Sequence, residues 1–374
     1  MRKLKIVSNA LLSLFFLGIT ISCVSTSGKK HESQITLTFA GDIMAHGPNV
    51  KGRFSEIYED IKPILDESDL NFANFETPVT DSKPYSGYPF FNAKNEYAQA
   101  AIDAGFNVFS LANNHSNDQM AEGLNSTRDF FASKKNIYSS GIKNKNNDPL
   151  TYSLIEKDGW KILFVAVTEL VNHGESTSLM DYYPWSRKSW TKLKEDLTSL
   201  KDSVEHDMFI VSFHNAEEEY VLSVEKSHLK LYDEIIELGA DVLWINHAHV
   251  PKTWKVLYDE NNIPRKVIFY GMGNTISAQR TKPSWDMPDS PRDYTGDGFL
   301  ATVKFEKQKD GIRIKQLKPY EITTYITKDK FYFIRLMNDE TIQKLRDSKE
   351  TKWADYLSER KKIVDKIKGI EIWQ

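Results

Sequence analysis

AGFNVFSLANNHSND, residues 104–118, decides the fold. Gly105 closes the helical segment before it, a strand covers 107–112, and the strand ends abruptly in Asn113, Asn114, His115, Ser116, Asn117 and Asp118. A glycine stop, an apolar strand and then a cluster of polar, chemistry-bearing side chains is the signature of one αβ unit in an open sheet. GADVLWINHAHV, residues 239–250, repeats it: Gly239 ends a helix over 222–238, a strand covers 241–245, and Asn246, His247, Ala248 and His249 follow.

Working outward, the pattern extends in both directions. Ile35, Leu37 and Phe39 alternate in a strand over 35–40, and further strands are expected at 69–75, 161–168, 207–213 and 266–270. Helices are expected between them at 54–65, 96–104 and 120–133, and Trp190, Leu193, Leu197, Leu200 and Val204 give an amphipathic helix by their spacing of three and four. Alternation of this kind over roughly 200 residues argues for parallel βαβ units. Strands at 298–305 and 312–318 then follow without helices, which adds a mixed or second sheet, and 338–367 reads as charged and helical with a partial apolar stripe.

The amino-terminal residues read as an export signal. Arg2, Lys3 and Lys5 precede an apolar run from Leu11 to Ile21, too short to span a bilayer comfortably, and the run stops at Cys23, the only cysteine of the 374 residues. A lone cysteine in that place resembles a bacterial lipobox, so residues 1–23 are expected to be a lipoprotein signal with Cys23 as lipid anchor. Residues 24–34, VSTSGKKHESQ, follow as a polar tether. The chain beyond residue 23 carries 46 basic against 52 acidic side chains, which excludes a basic nucleic-acid footprint.

In open α/β sheets ligands bind beyond the carboxyl ends of the strands. Six strand ends here carry such residues: Asp42 with His46, Asn74 with Glu76, Asn114 with His115, His214 with the run Glu217, Glu218 and Glu219, His247 with His249, and Asn274. Mixed imidazole and carboxylate donors suit Zn, Mn, Fe or similar divalent ions. The extended period of two is expected to put both rings of the His247-x-His249 pair on one side. His206 and His228 lie away from these ends.

GDIM (41–44), NFE (74–76), AGFNVFSLANNHSND, the His214 to Glu218 stretch, GADVLWINHAHV and YGMGN (270–274) together resemble the CapA family of bacterial capsule and poly-γ-glutamate synthesis proteins, over about residues 36–278. That family is similar in fold to metallophosphoesterases. The resemblance implies an α-β-β-α sandwich with mixed sheets over 35–320 and a mostly helical extension over 321–374. It also implies a site for one or two divalent ions (Zn, Mn, Fe or Mg). Asp42, Glu76, Asn114, His214, His247 and His249 match ligand positions, His115 and Glu218 are the candidate acid/base groups, and Asn74 and Asn274 are flanking site residues. Met44 departs from the pattern, standing where the metallophosphoesterase D-x-H block has its histidine, and Asn246 and Ala248 depart from the last block. Two functions are expected: a metal-dependent hydrolase of an anionic envelope substrate, or a non-catalytic factor that binds capsule polymer beside its synthesis and export proteins. Either is placed in the cell envelope, on the membrane through its lipid anchor.

Overall fold

The computed structural model describes residues 33–373. In chain order the elements are β1 (Gln34–Ile43), α1 (Lys62–Asp66), β2 (Leu70–Phe75), α2 (Asn95–Ala104), β3 (Val108–Ser110), α3 (Met120–Ala132), β4 (Tyr138–Ser140), β5 (Ser153–Lys157), β6 (Trp160–Thr168), α4 (Arg187–Ser203), β7 (Met208–His214), α5 (Lys226–Glu237), β8 (Val242–Asn246), β9 (Trp254–Tyr258), β10 (Pro264–Phe269), β11 (Asn274–Ile276), α6 (Pro291–Tyr294), β12 (Asp297–Gln308), β13 (Gly311–Ile326), β14 (Tyr332–Leu336), α7 (Asp339–Asp347) and α8 (Thr351–Asp365). The proposed signal, Cys23 and nearly all of the tether lie outside the described residues. Among the described residues no helix is long and apolar enough to cross a membrane.

Two mixed sheets form. One runs β14-β13-β12-β1-β2-β3-β4, with β11 also pairing β1; the other runs β5-β6-β7-β8-β10-β9. β1 to β4 are mutually parallel, as are β6, β7, β8 and β10, while β12, β13 and β14 close the first sheet in antiparallel fashion. The sheets face each other across a dry aromatic layer. Phe39 stacks on Phe72 at 4.6 Å between ring centres and meets Trp244 and Phe269 of the opposite sheet. The Trp244 indole donates to the Ala40 carbonyl at 3.0 Å, so the one polar atom of that ring is satisfied between the sheets. Helices α4 and α5 cover the far side of the second sheet through Leu193, Leu197, Leu231 and Ile235. On the first sheet, Phe131 of α3 packs against Phe75 and Phe109. The result is the α-β-β-α sandwich.

Strand alternation aims the site. In β7, Phe209, Val211 and Phe213 join the core under α4 and α5, whereas Met208 and Ile210 join the core between the sheets. The period of two therefore carries Ser212 and His214 to the inter-sheet side. Ser212 meets Ser110 of β3 at 2.9 Å, and His214, at the end of the strand, faces the ends of β2 and β3. In β1 the register shifts on either side of Asp42, a bulge of the kind that re-aims a side chain. Gly41 makes this possible: a Cβ there would lie 1.8 Å from the Gly273 carbonyl oxygen, so only glycine lets β1 run against the 271–274 turn.

Two expectations need correction. The segment 54–65 is not one helix: a 3₁₀ turn at Phe54–Glu56 is followed by turns and the short α1. Pro63 lacks the N–H that would continue an earlier helix and fits the first turn of a new one. The extension beyond residue 320 is not mostly helical at its start, because β13 continues to Ile326 and β14 pairs with it. Only then do α7 and α8 follow, packing through Leu345, Trp353, Tyr356, Leu357 and Val364, and Ile372 bridges back to Leu317.

Candidate metal centre

Asp42, Glu76, His214, His247 and His249 come together at the carboxyl ends of β1, β2, β7 and β8, all nearly fully buried. Their donor atoms fall into groups, each lying within 4.8 Å of one another: Asp42 with Glu76 and His249, and Glu76 with His214 and His247. Glu76 is common to both. Its Oε1 lies 3.5 Å from His249 Nε2 and 4.0 Å from His214 Nε2. A third group is formed by Glu219 with His247 and His249.

The surrounding contacts orient these donors. Asn74 Nδ2 donates to both Asp42 Oδ1 at 2.8 Å and Glu76 Oε2 at 3.0 Å, bridging the two carboxylates. His249 Nδ1 lies 3.0 Å from Asp42 Oδ2 and 3.1 Å from Asn274 Oδ1, which turns Nε2 toward Glu76. Asn274 is held in turn by the Thr295 carbonyl at 2.8 Å. Asn114 Oδ1 meets His214 Nε2 at 2.9 Å, so Asn114 joins the cluster. His115 stands at its border. Its Nδ1 pairs with Asp118 Oδ2 at 2.7 Å, and its ring packs edge-on against Phe91 at 4.5 Å.

Burial, then the Asp42 and Glu219 charges, push the Glu76 carboxyl well above its ordinary range. Burial and the neighbouring rings hold His214 and His247 well below theirs. Burial opposes protonation of His249 too, but the hydrogen bond and charge of Asp42 outweigh it and raise that imidazole. Burial thus favours neutral rings at His214 and His247 beside the carboxylates Asp42, Glu76 and Glu219. Glu76 Oε1, His214 Nδ1 and His247 Nδ1 are buried without a hydrogen-bond partner among the described residues. Each such orphan costs about 1–3 kcal/mol unless something satisfies it. The donor set therefore could hold a metal ion.

Not every sequence expectation holds in its original form. Glu218 is exposed, and among the described residues its side chain has no partner; its backbone N–H donates to Glu225 Oε1 at 2.9 Å. The member of that run that reaches the histidines is Glu219, 3.9 Å from His247 Nε2. Glu217 turns inward to Lys252 at 2.5 Å and Tyr232 at 2.5 Å, pinning the loop that carries Glu219. His247 and His249 do share the site, but not through extended alternation: both adopt positive φ (108° and 56°) in a tight turn, a conformation costly for histidine and of the sort found at functional sites. His46 stays outside the ligand groups. Its Nδ1 faces the Ala278 N–H at 3.4 Å, and burial, helped by His249 and His115, lowers its pKa to about 3. Met44 is buried in the core.

Sequence reasoning also missed the end of β6. Glu169 there binds His228 at 2.6 Å and the Ala216 N–H at 2.8 Å, which makes His228 a support of the site loop. Asn172 contacts Asn114 at 3.2 Å, and His173 contacts Asp118 at 3.3 Å. The rule that flagged the other strand ends applies equally to the residues after Thr168.

A sandwich of two mixed sheets with carboxylate and imidazole donors at its strand ends defines an α/β protein with a candidate metal centre. The family description "Bacterial capsule synthesis protein PGA_cap" matches residues 36–279, more than half of the chain, and the chain belongs to that family. It is 26% identical over 354 residues to "Capsule biosynthesis protein CapA" of Bacillus anthracis, covering 91% of this chain and 81% of that one. A crystal structure of a hypothetical protein from Thermus thermophilus aligns with a TM-score of 0.44 at 16% identity, over 77% of this chain and 98% of that one.

Proposed function

We propose that this protein is a divalent-metal-dependent hydrolase of the cell envelope, acting on an anionic substrate in the making or export of capsule polymer, poly-γ-glutamate being one such polymer. The observation that carries the proposal is Glu76, shared by two ligand groups so that one carboxylate serves both. A divalent ion held there would polarise a phosphoryl or carbonyl oxygen and lower the pKa of a bound water. Asp42 and His249 would hold one position, His214, His247 and Asn114 the other. His115, fixed through Nδ1 by Asp118 and with Nε2 3.5 Å from the Asn172 amide, would serve in proton transfer at the leaving group. Glu219 is the carboxylate best placed to assist, in the role first expected of Glu218. The test is metal content of the purified protein together with release of phosphate from phosphoesters and of glutamate from poly-γ-glutamate. We expect bound metal and a hydrolytic activity that chelation abolishes. Metal-loaded protein inert toward both substrate classes would instead support a non-catalytic, polymer-binding assembly factor. Buried Met44, which supplies no donor where a histidine would complete a ligand set, favours that second reading.

The proposal includes attachment to the membrane through Cys23. The wild-type protein is expected in the detergent phase on phase partitioning, and Cys23→Ala in an unprocessed or aqueous form, because stable anchoring takes more than one acyl chain. A processed wild-type protein found in the aqueous phase would refute the anchor.

A further inference from the structure

A second feature lies on the carboxyl-terminal side of the molecule, where a concave groove of about 510 Å³ opens between the segment after β11, the β13–β14 turn and the start of α8. Lys282, Lys328, Lys330, Lys349 and Lys352 line it, with Trp285 and Trp353. All five lysines are exposed, and none of their ammonium groups has a carboxylate or hydrogen-bond partner among the described residues. This is unlike Lys344 and Lys361 on the adjacent helices, which pair with Glu340 and Asp339. The one acid lining the groove, Glu350, is engaged by the Tyr325 hydroxyl. Lys330 and Lys349 both adopt left-handed backbone (φ 63° and 62°), a conformation that glycine would hold without strain. Five like charges around one concavity repel one another, so the arrangement favours an anionic occupant.

The groove also has an aromatic wall. Trp285 is 39% exposed and is braced edge-on by Trp353 at 5.3 Å and Tyr356 at 5.6 Å. A braced, half-exposed indole offers a rigid apolar face with little entropy left to lose on binding. The apolar C–H face of a pyranose ring matches such a wall, while carboxylates on the same sugar chain match the ammonium groups. Concavity argues against a bilayer surface as the occupant, since a flat array of headgroups reaches a convex face better than a groove.

We infer that this groove binds a segment of carboxylate-bearing polysaccharide, the lysines pairing with its carboxylates and Trp285 stacking on a sugar ring. Gln279, hydrogen-bonded to Asn274 at the candidate metal centre, is six residues from Trp285, so the two lie at most about 22 Å apart along the chain. A polymer held here is therefore retained within a few sugar units of the centre. Failure of the metal reading would leave the groove's binding intact, because metal content and polysaccharide binding are measured separately.

The test is calorimetric titration of detergent-solubilised full-length protein with tetragalacturonate, against maltotetraose, tetraglutamate and dihexanoyl phosphatidylglycerol. Tetragalacturonate should bind, weakening as salt rises, and maltotetraose should not. Lys328→Glu/Lys330→Glu should weaken binding about tenfold or more, with metal content unchanged. Lys349→Glu/Lys352→Glu reads the opposite wall if the first pair fails to fold. Trp285→Ala should cost about fivefold for the glycan and nothing for tetraglutamate. Tetraglutamate binding as tightly as the glycan, displacement by the lipid headgroup, or indifference to the lysine reversals would each overturn the inference.

Discussion

Glu76→Gln is expected to abolish metal binding and, with it, any hydrolysis, while leaving the metal-free protein at least as stable as the wild type. Glu76 is the carboxylate common to two ligand groups, so its loss removes a donor from both at once. Changing even a residue that only supports a ligand costs about 10–100-fold in metal affinity, and loss of a shared ligand should exceed that. Stability moves the other way because Glu76 is buried beside Asp42, and their repulsion is part of what pushes its carboxyl up. A neutral amide of the same shape relieves that repulsion and keeps the Asn74 contact. The wild type should therefore melt higher when Mn²⁺ or Zn²⁺ is added, by mass action, and Glu76→Gln should show no such rise. His247→Ala and His249→Ala should behave alike. His206→Ala is the control, since that ring sits before β7 with Nδ1 2.6 Å from the Val204 carbonyl, far along the strand from the site. If Glu76→Gln takes up metal as the wild type does, or the wild type gains nothing from either ion, the cluster is not a metal centre.

How far the sequence reveals this architecture depends on element length. β6, β7 and β8 are legible because strands of five to nine mostly apolar residues bounded by glycine or polar turns admit few other readings. β3, β4 and β11 have three residues each, too few for any period to register. β3 is found only because the motif around it is so distinctive. β14 lies in a stretch whose charged neighbours suggest helix, and only its antiparallel register with β13 makes it a strand. Gly41 shows the converse case. The residue is plain in the sequence, yet the reason for it, a carbonyl 1.8 Å from its absent side chain, belongs to a partner more than 200 residues away.

The site follows the same division. Asp42, Glu76, His214, His247 and His249 are legible because strand ends in parallel sheets converge on one edge whatever the loops do. Glu219 is not, because three consecutive glutamates differ only in the path of the loop that carries them. One is drawn down to Lys252, one is left in solvent and one is delivered to His247. Asp118, three residues after His115, is within the same motif, but its pairing with that ring depends on the turn between them. His228 looks remote on its helix and is tied to the site loop only because Glu169, from another strand, reaches across.

The largest loss of stability is expected from Asp297→Ala. Asp297 is fully buried and takes both Arg280 at 3.0 Å and Arg360 at 2.6 Å, two guanidinium groups that are themselves fully buried. Arg280 further binds Thr323 Oγ1 at 2.8 Å and the Thr324 carbonyl, and the backbone leaves room for it only because Gly296 has no side chain; a Cβ there would lie 2.0 Å from the guanidinium carbon. Asp297 opens β12, Arg280 belongs to the segment leaving the candidate metal centre, and Arg360 belongs to α8. One carboxylate thus ties the carboxyl-terminal helix to the walls of the site. Removing a partner from a buried ion pair costs about 3–5 kcal/mol because the charge left behind is uncompensated, and here two are left behind. The melting temperature should fall by on the order of 10 °C, and hydrogen exchange in α8 should rise with it. Arg360→Met should cost less than half as much, since Asp297 keeps Arg280 and the methionine can fill the volume. Equal losses in the two variants would mean that packing of the Arg360 side chain, not the charge balance around Asp297, holds the helix in place, and a shift within about 1 °C for Asp297→Ala would show that the network contributes no net stability.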